Sequence, residues 1–228
     1  MANGNLTWEP IGEFDYLTWK VRLTFVEGLL GTSPDDPEIY GKYIASKAPD
    51  PEKGKEETKA KTDEEKFLKA FEMETTGMNI FNRLEDGTPF LYDYQIKGFF
   101  KDACKACRMM EEAPNGRKLI SPSIKAYKTR IDDLVFIRER IIPIHLSGEI
   151  TYCERPLRAS TAQGERIALA CSEEAPAGSY IDMTIICSTK QMHKGVEEWL
   201  HYGALKGIGG WRNSGKGRFT WDETERLK

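Results

Sequence analysis

The 228-residue chain contains no run of 18 or more apolar residues, which excludes a membrane-spanning helix. Its first ten residues, MANGNLTWEP, lack a basic region followed by an apolar stretch, so no secretory signal is expected. Histidine is scarce: His145, His193 and His201 are the only three. Cysteine numbers five, an odd count that suits no framework of paired disulfides. Without an export signal, a reduced cytoplasmic protein is the expectation. Cys104 and Cys107 form a C-x-x-C, but no second pair or Cys/His partner stands at zinc-ligand spacing. The pair falls inside a helical pattern, not between a strand and a helix, so it reads as buried helix-face thiols. No metal and no cofactor is expected. No internal repeat is visible.

What the chain does have is charge, at 30% of its residues, with a net of −3. The distribution is uneven. Residues 1–95 hold 11 basic and 19 acidic side chains, whereas 96–141 hold 11 basic and 6 acidic. An acidic first part and a basic middle point to one anion-facing surface on an otherwise neutral protein. A merely solvated face would give the same counts.

Residues 16–27, YLTWKVRLTFVE, alternate as a half-buried strand, with Leu17, Trp19, Val21, Leu23 and Phe25 on one face. GLLGTSPDDP follows and reads as a loop. Residues 49–66 are almost purely polar and charged, which predicts a mobile insertion with little to bury. Residues 94–110 predict an amphipathic helix burying Ile96, Phe99, Phe100, Ala103, Cys107 and Met110. SPSIKAYKTRIDD, polar and basic, reads as a loop or short hairpin. Four strand-like segments come next, at 134–144, 150–157, 166–173 and 179–187, with Gly148, Gly164 and APAG marking breaks. A second helix is predicted over 190–205, and a closing strand over 218–221. This order suggests a β-α-β-β-α-β unit, an α+β, ferredoxin-like (RRM-like) core with insertions.

Between the second helix and the closing strand lies GIGGWRNSGKGRF, residues 207–219, with five glycines among one Trp, two Arg and one Lys. Gly is costly inside ordered elements, so such a run implies backbone that only Gly can supply. Successive amides in a glycine loop form an anion site, and a phosphate can approach where no Cβ stands. Arg212, Lys216 and Arg218 would add charge there, and Trp211 would either stack on an unpaired base or pack as a lid under the loop.

This stretch resembles the glycine-rich loop of the RAMP superfamily, the RNA-binding subunits of CRISPR effector complexes. The helix KQMHKGVEEWLHYGALK leading into GGWRNSGKGRF is in that family's order. PFLYDYQIKGFFKDAC is similar to its K-G helix segment, SEEAPAGSYIDMTIIC to its hairpin, and VRLTFVEGLLGTSPDDP to its first strand and loop. The resemblance implies one RAMP-like domain over residues 1–228, with a charged insertion at 37–88. It implies RNA contacts at Lys97, Lys101, Gly209, Gly210, Trp211, Arg212, Lys216 and Arg218, and near Gly98. The basic middle, through Lys97, Lys101 and Arg108, would extend the same surface.

Within that family three roles stand open. The first is a backbone-type subunit that holds single-stranded guide RNA, stacks with like subunits and docks on other CRISPR effector subunits. The second is a stand-alone homologue from a mobile element, inhibiting or imitating a CRISPR complex by protein contact. The third is an endoribonuclease, although none of the three histidines lies in an early helix where that chemistry is expected. Where RAMP complexes cut target RNA, an Asp in the loop after the first strand serves. Asp35 and Asp36 occupy that loop here, and acids before Pro37 also fit ordinary turn chemistry.

Overall fold

The computed structural model describes residues 16–35, 78–110, 112–113, 115–161 and 164–227. Asp36 and the 49–66 stretch lie outside the described residues, as does the 37–77 part of the 37–88 insertion.

Strand β1 (Leu17–Phe25) buries alternate residues, as its pattern requires. Two two-residue strands follow, β2 (Leu29–Leu30) and β3 (Ser33–Pro34), where the sequence reads as loop. Next come β4 (Met78–Ile80), β5 (Asn82–Arg83) and β6 (Pro89–Tyr92). Helix α1 (Asp93–Cys107) begins where the Gln95 side chain accepts the Tyr92 amide at 2.8 Å. Asp93 in its first turn suits the helix dipole.

Helix α2 (Tyr127–Leu134) replaces the expected loop or hairpin. The reason is spacing: Tyr127, Ile131 and Leu134 recur at four and three residues, and Ile131 is fully buried. Strands β7 (Val135–Ile137) and β8 (Ile141–His145) then share what read as one strand. The gap is filled by Glu139, whose carboxylate accepts the Thr184 amide and hydroxyl, both at 2.7 Å. Strands β9 (Thr151–Thr161) and β10 (Gly164–Ala175) form a long hairpin, longer than the two expected strands, whose break falls directly before Gly164. Strand β11 (Tyr180–Cys187), helix α3 (Lys190–Lys206) and strand β12 (Phe219–Leu227) complete the chain.

The fold is α+β. The main sheet runs β12-β1-β11-β8-β6-β5, with β7 also pairing β11. Counting β7 and β8 as one strand, the central order is fourth, first, third, second, all antiparallel, with α1 and α3 as the two crossovers. That is the split β-α-β arrangement of a ferredoxin-like core. A second sheet, β2-β10-β4-β3 with β9 on β10, is built from the inserted segments.

The helices cover one face of the main sheet. Trp19, Val21, Leu23, Ile181, Met183, Ile185 and Phe219 meet Ile96, Phe99, Phe100, Met192, Val196, Trp199 and Leu200 in one cluster. A fully buried side chain of this size contributes roughly 1.5–3 kcal/mol. Met110 is not among them: the helix stops at Cys107 and Met110 is exposed. Cys104 and Cys107 are buried and free. Burial pushes their thiols up to about 11 and about 12, so the pair is packing rather than a reactive dithiol.

Candidate nucleic-acid interface

Helix α3 ends because Gly207 takes a positive φ of 73° while its amide closes on Gly203. The chain then doubles back. The Ile208 amide donates to the Gly217 carbonyl at 3.0 Å, and the Gly217 amide to Gly28 at 2.9 Å. Here the glycines answer a steric demand. A Cβ on Gly207 would stand 2.6 Å from the Lys216 carbonyl oxygen, and one on Gly217 would overlap the Ile208 carbonyl.

The tip rests on the loop after β1. Gly209 lies against Leu29, and Gly210 against Leu30 and Thr32. Trp211 adopts a left-handed φ of 50°, unusual for a large side chain. A short helical turn at Arg212–Ser214 follows, and Gly215 returns to positive φ. The amides of Gly209, Gly210 and Trp211 are consecutive and have no hydrogen-bond partner among the described residues. Successive backbone donors of this kind are what an anion site requires. The half-buried Trp211 ring has the Arg155 guanidinium 5.4 Å from its centroid, a cation–π contact.

Each loop cation has a carboxylate partner. Arg212 pairs with Asp102 of α1 at 2.8 Å, Lys216 with Glu174 of β10 at 2.6 Å, and Arg218 with Glu27 at 3.4 Å. Burial opposes the charge of Lys216, but the hydrogen bond and charge of Glu174 more than offset it, and its pKa is raised.

Lys97 and Lys101 lie on the other flank of α1. Lys97 Nζ reaches the Asp132 carbonyl at 3.3 Å and sits 4.9 Å from the Phe136 ring centroid. Lys101 pairs with Asp132 at 2.7 Å. Arg108 donates to the Ile124 carbonyl and covers Tyr127. The structure therefore brings Gly209, Gly210, Trp211, Arg212, Lys216 and Arg218 together, and places Lys97, Lys101 and Arg108 against α2 instead.

Asp35 is exposed at the end of β3, its amide bonded to the Met78 carbonyl. It lines an open cavity of about 310 Å³ with Ser33, Asn82 and Arg83. The histidines sit apart, against Tyr180 (His145), Trp19 (His193) and Trp221 (His201).

Sequence reasoning missed Arg155 and the carboxylates of Glu27, Asp102 and Glu174. Only Glu174 carried a signal, as an acid before the Pro-Ala-Gly turn. The other three reach the loop through tertiary packing.

No family model matches the chain, and no curated protein matches it. Among solved structures it is similar to a chain in the cryo-EM structure of the Type III-B Cmr-beta bound to cognate target RNA. The identity is 9%, the TM-score 0.48, and the likeness covers 93% of this chain and 61% of that one. This chain thus spans less than two thirds of that chain's length. Among the described residues, no helix is long and apolar enough to cross a membrane.

Proposed function

We propose that this chain is a RAMP-type RNA-binding protein that holds single-stranded RNA on the glycine-rich loop. The observation that carries the reading is the run of amides at Gly209, Gly210 and Trp211 that have no hydrogen-bond partner among the described residues. They are set in a loop that joins the last helix and last strand of a ferredoxin-like core. Its residue order resembles that of the RAMP glycine loop. A phosphate would take the amides, and Arg212, Lys216 and Arg218 would turn from their carboxylates to neighbouring phosphates. Breaking those ion pairs costs part of the gain, so modest affinity and steep salt dependence are expected.

The test is RNA binding by the wild-type chain and by the R212A/K216A/R218A variant across a salt series. The variant should bind all sequences more weakly, with a log–log salt slope reduced by about 0.7 per lost contact. Equal affinity and equal slope in the two proteins would make the loop structural only.

A backbone-type subunit would also assemble along RNA, its acidic first part facing a neighbour's basic middle in a head-to-tail contact. Sedimentation with RNAs of increasing length tests that arrangement. The neutralised loop cations favour a second reading, in which the chain is a stand-alone homologue acting on CRISPR effector subunits by protein contact. Pull-down with such subunits in the absence of RNA separates the two.

A further inference from the structure

A group of cations without ion pairs among the described residues lies away from the glycine-rich loop, where α2 meets the start of α3. Arg130 Nη1 donates to Gln191 Oε1 at 3.3 Å, and Gln191 Nε2 to Ser123 Oγ at 3.0 Å. One residue on, the Ile124 side chain packs against Gly195. These contacts gather Lys125 and Arg130 beside Lys190 and Lys194, all four exposed. None of the four forms an ion pair among the described residues.

The nearby acids are engaged elsewhere. Glu197 faces His193 at 3.7 Å, Asp132 holds Lys101, and Glu198 is buried on the Ile120 and Ser121 amides. Asp133, three residues after Arg130, makes no ion pair with it. The placement is locally unfavourable. Lys190 and Lys194 are like charges at i,i+4, and the first turn of α3 holds no acid to suit its dipole.

We propose that this surface binds the phosphodiester backbone of single-stranded RNA, as a second contact for the strand held by the glycine-rich loop. The inference deepens the RNA-binding reading and rests on it. An acidic protein fits less well. Protein interfaces centre on aromatic and apolar anchors, and the large exposed apolar side chains here lie elsewhere, at Tyr94, Met109, Phe136, Tyr152, Leu169 and Leu205 among others. A polar patch of flexible cations suits sequence-independent phosphate contact. The patch and the loop stand at opposite ends of the 17-residue α3, about 25 Å apart, so one strand would run its length.

The experiment compares the full chain with the K125Q/R130Q/K190Q/K194Q variant, binding labelled oligouridylates of 4 and 20 nucleotides over a salt series. Fold is checked by circular dichroism. With the 20-mer, the variant's salt slope should fall by about 3 and its affinity at low salt at least tenfold. With the 4-mer, which cannot span both sites, the loss should be much smaller. An unchanged slope on the 20-mer, with the loop triple variant impaired, overturns this inference and leaves the loop reading standing. The reverse pattern upholds the patch and removes the loop. If wild-type protein binds neither oligomer, both fall. If the variant loses only binding to polyglutamate, the surface is a protein site and the inference is wrong.

Discussion

Lys216 Nζ lies 2.6 Å from Glu174 Oε1, and this ion pair ties the glycine-rich loop to the base of the β9–β10 hairpin. Both side chains are mostly buried, so the pair is worth more than a solvated one. Replacing Glu174 with Gln keeps the shape and removes the charge. The loss should be about 1 kcal/mol in urea denaturation. RNA affinity should rise severalfold, because Lys216 no longer has a competing carboxylate. A fall in affinity would mean that Glu174 positions the lysine rather than competes for it. The raised pKa of Lys216 sets the pH window of the pair's contribution. A lysine raised in the folded state stabilises fully below its unfolded value near 10.4 and loses that stability as pH climbs through the folded value. The contribution should therefore be flat between about pH 6 and 9.

Two glycines should respond in opposite directions. Gly217 has a φ of 68°, and a Cβ there would overlap the Ile208 carbonyl. Gly217→Ala should cost about 2 kcal/mol or more and shift the loop amides. Gly98 lies inside α1, is exposed, and has nothing within 4 Å of an added Cβ. Gly98→Ala should stabilise by roughly 0.5–1 kcal/mol. Thermal unfolding of the two variants checks both signs. If the Gly98→Ala protein is more stable but binds RNA more weakly, Gly98 also faces the nucleic acid.

These positions show what a reader of the sequence could see. The strand order followed from alternation in β1 and β11 and from the helical spacing in α1 and α3, where local pattern and tertiary burial agree. The crowding at Gly207 and Gly217 was legible as an unexplained excess of glycine. The carboxylates on Arg212 and Arg218 were not, because Asp102 and Glu27 are 110 and 191 residues away and nothing local marks them. Helix α2 was hidden for a different reason. Its Lys, Arg and Asp residues outweigh three apolar positions, and only docking on α1 and the sheet rewards the helical spacing. The partners of Lys97, Lys101 and Arg108 were equally out of sight, since α2 and its flanks supply them.

Glu198 should be the most costly surface-adjacent carboxylate to remove. It is buried in α3, accepts the Ser121 amide at 3.1 Å and hydroxyl at 2.9 Å, and also takes the Ile120 amide. The same Ser121 hydroxyl oxygen accepts the Trp199 indole N–H at 2.9 Å. Glu198→Ala would strand three donors inside the protein. A loss of about 3 kcal/mol is expected by urea denaturation, and a smaller loss for Glu198→Gln, which keeps an acceptor oxygen. A loss below about 1 kcal/mol in the alanine variant would mean that water replaces the carboxylate.

The C-x-x-C pair offers a chemical test of the packing. Only the thiolate attacks an alkylating reagent, so reactivity follows both pKa and access. Burial raises the Cys104 thiol to about 11 and the Cys107 thiol to about 12, and it raises Cys187 as well. At pH 8, fewer than about 1% of the first two would be ionised even if reagent could reach them. Cys153 is also raised by burial, but it is only half-buried, with the Lys216 charge beside it lowering its pKa. Iodoacetamide at pH 8 should therefore label Cys153 and the half-buried Cys171 first. Cys104, Cys107 and Cys187 should stay unmodified until denaturant is added, and peptide mass mapping reads each site. Early labelling of Cys104 or Cys107 in the folded protein would mean that α1 separates from α3 in solution, and the core around Phe100 and Trp199 would have to open with it.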